Sequence, residues 1–367
     1  MSLIIWRIFF KMNIHSVFRD YSLTIEPDYC FLDELLTRQN AYFVIDSRVY
    51  ELYKKEFQTI PENRLFVMIA HEDNKVIETA LDICSSMTNI SAKRNAWLVS
   101  VGGGITQDVT GFVASTLYRG IHWAFVPTTL LAACDSCIGG KTSINYKGFK
   151  NLLGTFYPPE EIHICTGFFK TLSEEDYLSG LGEVFKFNFL CGEEGVESIE
   201  ANIRALLVRD ETVVSRFTKK SLEYKKKYIE QDEFDRGVRV YLNFAHTFAH
   251  AFESLSEYEI RHGTAVAIGT IVANRISCGR GMLPLSQVER MEALLKQIIP
   301  APVFIKWSQD EIVRVVRKDK KQIDSALTAV LIDKDATPHI VHDLTAHEMM
   351  AAIDCASQVI NAEQGRS

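Results

Sequence analysis

Residues 96–108 read AWLVSVGGGITQD, an apolar and β-branched run that stops at three glycines. A run this short, closed by glycines, has the length and composition of a buried strand. Glycines at the start of a helical pattern let the backbone approach a pyrophosphate, and the helix N-terminus adds donors and a favourable dipole. A glycine turn after a strand also occurs with no ligand. Gln107 stands where the usual dinucleotide fingerprint has its third glycine, so the stretch by itself leaves both readings open. Similar runs lie on either side: YFVID (residues 42–46), LFVMIA (65–70) and WAFVP (123–127), with helical periodicity over 75–87. Strand and helix alternating through short connections predict an α/β domain on a parallel sheet. Residues 13–26, NIHSVFRDYSLTIE, alternate like an edge strand, so this domain is expected to span 12–174, with residues 1–11 outside it.

After about Thr171 the pattern changes to amphipathic helix. SEEDYLSGLGEVFKFNFL (173–190) opens on a Ser-x-x-Asp capping signal, and only a weak strand shows at 327–332. The second domain, 175–367, is expected to be all-helical. The chain has 367 residues, 47% of them hydrophobic, which is enough for a large core and about two domains. A formal charge of -7 without any basic block gives no footprint for nucleic acid. The apolar opening MSLIIWRIFFKM is broken by Arg7 and Lys11 and is too short to span a bilayer, so neither membrane nor signal peptide is expected. Eight cysteines at irregular spacing make no disulfide framework and fit a reducing cytoplasm. Partners are therefore expected to be small molecules.

NFAHTFAHAFE (243–253) sets His246 and His250 four residues apart, on one face of a helix. Either is a satisfied core histidine or a metal ligand. The zincin pattern is excluded because Thr247 stands where its glutamate would be. Glu183, a lone acid in an apolar helix, and His262, opening HGTAVAIG, supply further ligand candidates. One carboxylate and two imidazoles with a position left open is the composition of a catalytic zinc site. The stretch 126–159, VPTTLLAACDSCIGGKTSINYKGFKNLLGTFYPP, reads as a loop presenting Lys141, Lys150 and Asn151 either to an anion or to solvent. Cys134 and Cys137 flank Asp135; with no second pair they read as small buried residues. Lys225, Asp232, Glu233, Asp235 and Arg239 read, taken alone, as a solvated charged face.

Taken together and in order, GGGITQD, LYRG, PTTLLAACDSCIGGKTSIN, KNLLGTFYPP, GEVFK, LNFAHTFAHAFE and HGTAVAIG resemble the sugar phosphate cyclases, and among them the 3-dehydroquinate synthases most closely, over roughly residues 40–335. The resemblance implies an N-terminal NAD-binding α/β domain, a helical metal-binding domain and a homodimer. It implies Glu183, His246 and His262 as ligands of one divalent metal, zinc or cobalt. His250 then becomes a substrate-side residue, grouped with Lys186, Asp135 and Lys225 as catalytic. Arg119, Lys141, Asn151, Asp235, Arg239, Asn243 and Lys321 match substrate-binding positions, Arg119 reaching phosphate across the dimer. Asp46, Glu72, Lys75, Gly103, Gly104, Asp108, Thr128, Thr129, Lys150, Phe168 and Thr171 match NAD positions.

The implied enzyme is a carbon-oxygen lyase of the shikimate pathway, turning 3-deoxy-arabino-heptulosonate 7-phosphate into 3-dehydroquinate. NAD transiently oxidises a secondary alcohol, the new ketone acidifies the neighbouring C–H, phosphate leaves, the hydride returns, and an intramolecular aldol step closes the ring. Four residues depart from the family pattern: Asp235 replaces Glu, while Ala245, Gln107 and His71 each replace Gly. A cyclase acting on another seven-carbon sugar phosphate, of the aminocyclitol or valiolone type, shares the scaffold. So does a polyol dehydrogenase of the glycerol dehydrogenase type, against which Glu183 and the lysine-rich pocket argue.

Overall fold

The computed structural model describes residues 10–89, 93–300, 307–318 and 327–361. It divides into two compact units, the first comprising the residues up to Leu172 together with Ile229–Phe234. In chain order the first unit contains β1 (Phe10–Ile14), β2 (Tyr21–Glu26), α1 (Phe31–Thr37), β3 (Ala41–Asp46), α2 (Ser47–Leu52), α3 (Lys54–Phe57), β4 (Leu65–Met68), α4 (Ile77–Asn89), β5 (Trp97–Gly102), α5 (Gly104–Thr116), β6 (His122–Pro127), β7 (Lys141–Tyr146), β8 (Phe149–Phe156) and β9 (Glu161–Cys165). Its main sheet has the order β1-β2-β9-β6-β5-β3-β4, parallel throughout except for the antiparallel edge strand β1. The four apolar runs are all strands of this sheet. Leu98, Val99 and Val101 of β5 are fully buried, as expected of a parallel strand covered on both faces. Ser100, equally buried, accepts a hydrogen bond from Thr110 Oγ1 on α5 at 2.7 Å.

From β3 the chain moves outward to β4, then returns to place β5 on the other side of β3. The order of winding therefore reverses between β3 and β5, and ligands of open α/β sheets bind beyond the carboxyl ends of strands at such a point. Asp46 ends β3, and Gly102–Gly104 end β5 and open α5.

Three expectations need correction here. Residues 13–26 are not one edge strand but the end of β1, a turn and β2. The stretch 126–159 is not a loop: a π-helical turn spans Ala132–Ser136, and β7 and β8 form an antiparallel hairpin. Lys147 and Gly148 connect the hairpin with φ of 49° and 79°, the two-residue turn whose twist matches that of the strands. Glu233 is also not a solvated charge. It accepts from Ser16 Oγ at 2.6 Å, and the neighbouring Phe234 ring packs against Phe18 and Phe156 in the first unit.

The second unit contains α6 (Glu174–Phe189), α7 (Glu193–Leu207), α8 (Glu211–Ile229), α9 (His246–Leu255), α10 (His262–Gly279), α11 (Leu285–Leu295), α12 (Gln309–Lys318), β10 (Leu327–Ile332), β11 (Pro338–Leu344) and α13 (Ala346–Asn361). The strand expected at 327–332 is β10, and it pairs with β11, so the unit is helical with one hairpin added. At its centre lies α10, buried without a break from Gly263 to Asn274, as befits a helix that is apolar on all sides. It packs against α6, α9, α11 and α13. The approach to α6 depends on two glycines: a Cβ on Gly263 would overlap the Ser179 carbonyl oxygen, and one on Gly182 would overlap the Gly263 carbonyl oxygen. Ser179 Oγ accepts from Gly263 N at 3.0 Å across this contact.

Candidate metal centre and nucleotide turn

The close packing of α6 on α10 brings Glu183, in the middle of one helix, to His262, the first residue of the other. His246 opens α9 and completes the group. His246 Nε2 and His262 Nε2 each lie 3.3 Å from Glu183 Oε1, and the three ligand atoms fall within 4.8 Å of one another. Donor atoms held about 2.1 Å from a tetrahedral zinc ion stand about 3.4 Å apart, so the cradle has the size of such a site. The far ring nitrogens are anchored: His246 Nδ1 lies 3.0 Å from the Phe244 carbonyl oxygen, and His262 Nδ1 lies 3.2 Å from Glu253 Oε1. Both Nε2 atoms are thereby aimed inward, the arrangement that carbonyl and carboxylate partners impose on metal-ligating histidines.

Electrostatics also favour a cation. Glu183 is fully buried, which opposes its ionisation, yet Lys186 Nζ at 2.6 Å and the two histidines hold its pKa well below the ordinary value. Burial, with help from Lys186, drives His246 down to about 4. His262 is also penalised by burial but is carried up to about 10 by Glu253 and Glu183. With neutral imidazoles, the two carboxylates and one ammonium leave a buried net charge of -1. A divalent ion would take the place of the proton that His262 otherwise holds.

His250, one turn along α9, does not belong to the ligand group; its ring centroid lies 5.4 Å from that of His246 and 6.4 Å from that of His262. Lys186 is almost wholly buried and also donates to the Leu242 carbonyl at 3.2 Å, which joins it to the 3-10 turn Val238–Asn243. That turn carries Arg239, buried, and Asn243, half-buried. Lys225 on α8 is buried too, so neither Lys225 nor Arg239 forms the solvated face that the charge run alone suggests. Asp235 has φ of 58°, a left-handed conformation that aspartate tolerates better than glutamate. Lys321 lies outside the described residues.

Ala245, which stands where the resemblance implies glycine, is held at φ 72° immediately before His246. An L-residue pays for that conformation in steric strain. Replacing Ala245 with glycine is expected to stabilise the protein by about 1 kcal/mol, seen as a higher urea midpoint at unchanged slope. Glu253 is the site residue that sequence reading missed. Its signal was there, since residues 246, 250 and 253 share one helix face and Glu253 is an acid in an apolar helix. Glu253→Ala is expected to lower zinc affinity about 10- to 100-fold in competition with a chromophoric chelator, because His262 loses its anchor.

In the first unit the expected NAD residues gather at the carboxyl edge of the sheet. Lys75 Nζ pairs with Asp108 Oδ2 at 2.6 Å and donates to Asn151 Oδ1 at 2.6 Å; Ser143 Oγ reaches Asp108 at 3.0 Å and Asn151 at 2.8 Å. Asn145 Nδ2 donates to Glu72 Oε1 at 2.8 Å, and Lys150 Nζ lies 3.6 Å from the same carboxylate. Burial pushes the pKa of Asp108 up, and Lys75 opposes it. Asn151, expected at the substrate, thus stands among the residues expected at the cofactor. His71 Nδ1 accepts from Asp73 N at 3.4 Å, so its side chain caps the turn bearing Glu72. Gly103 faces Thr129, whose Cγ2 would be 3.0 Å from an added Cβ, and Thr128 N donates to the Gly102 carbonyl at 2.9 Å. Phe168 stacks edge-on against Tyr29 and Tyr53, and Tyr53 OH bonds Thr171 Oγ1 at 2.9 Å. A side-chain-free turn opening a helix, with Asp46 on the neighbouring strand end, is a donor set that fits a dinucleotide. Arg119 and Lys141 are exposed, and Arg119 follows Tyr118 in a turn where both residues are left-handed. Asp135 lies on the π-helical turn.

A parallel sheet with a nucleotide-type turn, and a helical unit with a Glu-His-His cradle, define the dehydroquinate synthase-like class of enzymes. The family models for the 3-dehydroquinate synthase N-terminal and C-terminal domains match residues 65–179 and 180–322. The 3-dehydroquinate synthase of Clostridium tetani is 34% identical over 352 residues, covering 95% of this chain and 92% of that protein. That of Acetivibrio thermocellus is 34% identical over 330 residues, covering 88% and 92%. The chain belongs to the 3-dehydroquinate synthase family and is an enzyme of the phosphate-eliminating lyase class. Among solved structures, 2-epi-5-epi-valiolone synthase of Streptomyces hygroscopicus, with NAD+ and Zn2+ bound, superimposes with a TM-score of 0.82 at 24% identity over 92% of this chain and 97% of that one. Glycerol dehydrogenase of Schizosaccharomyces pombe shares the fold more distantly, with a TM-score of 0.63 at 13% identity over 94% and 91%.

Proposed function

We propose that the protein is a 3-dehydroquinate synthase, converting 3-deoxy-arabino-heptulosonate 7-phosphate to 3-dehydroquinate and phosphate with one NAD and one zinc ion per chain. The observation that carries this reading is the Glu183, His246 and His262 cradle, sized for one zinc ion, in a chain whose family matches run through both units. When bound, NAD supplies reversible hydride acceptance and zinc supplies Lewis-acid polarisation of vicinal substrate oxygens.

The chain's own residues do the rest. Arg239 offers a planar fork suited to a carboxylate, and Lys225 answers a phosphate, for which the family resemblance also supports Arg119 reaching across a dimer. Burial of Lys225 and Arg239 strengthens their attraction for anions, since water screens them less. His250 holds and moves a proton beside the metal ligands without joining them. Lys186 neutralises Glu183 and stays near the reacting oxygens. The Gly103–Gly104 turn approaches the pyrophosphate, while Asp46 and the Glu72–Lys75–Asp108 group hold the nucleoside portion. Family resemblance further supports a cytoplasmic homodimer; among the described residues no helix is long and apolar enough to cross a membrane.

The test is incubation of zinc-loaded protein with NAD and the heptulosonate phosphate, following phosphate release and the carbocyclic product. Equimolar phosphate and 3-dehydroquinate, without net NADH, is the expected result. Turnover only of a seven-carbon sugar phosphate lacking the carboxylate would move the assignment to another cyclase. Net NADH formed with a polyol would move it to a dehydrogenase.

A further inference from the structure

Gln107 is 3% exposed and lies in the first turn of α5, directly after the glycine turn. Its side-chain amide meets one residue at two points: Nε2 donates to the Ser136 carbonyl at 2.7 Å, and Ser136 Oγ donates to Oε1 at 2.6 Å. The amide orientation is forced, because a carbonyl only accepts and the group facing it must be the NH2. Ser136 is the last residue of the π-helical turn Ala132–Ser136, which closes through a bond from Cys137 N to the Ala132 carbonyl at 2.9 Å. A single wide turn of this kind leaves carbonyls at its end without helical partners, and such turns are held in place by outside groups. Gln107 supplies the outside group at Ser136, one residue beyond Asp135. Ser136 Oγ also lies 3.8 Å from where a Cβ on Gly104 would be, so the clamp closes against the glycine turn itself.

We infer that Gln107 is a positioning residue: its two-point clamp on Ser136 fixes the turn that presents Asp135 and ties it to the helix that begins at the glycine turn. The inference rests on the proposed function for Asp135's place at the substrate, whereas the clamp itself does not depend on it. A side chain that touches neither substrate nor reacting atoms acts here through geometry, and small displacements of a positioning element are costly in a closed site.

The experiment is a double-mutant cycle with Gln107→Ala, Ser136→Ala and the double variant in the full, zinc-loaded chain. Each single variant is expected to raise KM for the heptulosonate phosphate about three- to tenfold, in line with the loss of one or two buried hydrogen bonds, and to leave the NAD Kd within about twofold. The double variant should be no worse than the poorer single one, because either change opens the same clamp. Fully additive effects, or KM and NAD Kd rising in equal proportion with the loss of thermal stability, would overturn the positioning role. Amide hydrogen exchange over residues 130–137 supplies a readout free of activity. Faster exchange in both single variants supports the clamp even if the wild type turns over a different substrate, and unchanged exchange overturns it.

Discussion

Purified His246→Ala is expected to emerge from metal loading and desalting with almost no zinc, whereas His250→Ala keeps close to one equivalent and loses activity about a thousandfold. The two histidines share one face of α9, and their spacing alone does not separate them. Their surroundings do. His246 Nε2 lies 3.3 Å from Glu183 Oε1 with its other nitrogen held by the Phe244 carbonyl, and burial keeps the ring neutral, ready to donate its lone pair. Removing it takes away one of the three proposed ligands, and the remaining two leave Glu183 and His262 paired with each other. His250 falls outside the candidate ligand group, so its loss leaves the cradle intact and removes the proposed proton-handling group, worth about 10²- to 10⁴-fold in rate. Metal content by atomic absorption, measured alongside turnover, decides the matter; equal zinc loss in both variants would refute the division of roles.

Gly263→Ala is expected to destabilise the protein by about 3 kcal/mol and to lower zinc affinity together with stability. The added methyl would overlap the Ser179 carbonyl, a backbone atom that no rotamer change can move aside. Relief requires α6 and α10 to separate, and these helices carry Glu183 and His262. A displacement of about 1 Å takes two of the proposed ligands out of range of one ion, because zinc bonds tolerate only a few tenths of an ångström. Gly279→Ala on the same helix is the control. Nothing lies within 4 Å of its added methyl, and helix propensity favours alanine, so its denaturation midpoint should stay level or rise. A Gly263→Ala variant as stable as wild type with full zinc affinity would show that the helices repack without cost.

Much of the first unit was legible because its signals are local. Each buried parallel strand is a short apolar run, and the glycine turn at 102–104 marks where β5 passes into α5. The hairpin β7–β8 was equally local, announced by Lys147-Gly148, yet the density of Thr, Gly, Lys and Asn around it made a hairpin look like a loop. Resemblance of motifs in order grouped Glu183, His246 and His262 as expected ligands, which no single spacing could, and the fold brings those three side chains together.

Which residues could ligate, cap, turn or be buried follows from side-chain chemistry and from spacing along one element. Which of them meet depends on how the elements pack. Glu183 and His262 are 79 positions apart and become neighbours because Gly182 and Gly263 let two helices touch backbone to backbone. Glu253 likewise meets His262, Asn151 meets Lys75, and Gln107 meets Ser136 only once their elements pack. Contacts between elements depend on packing distance, and packing distance is fixed by the absence of a methyl group as firmly as by the presence of a charge.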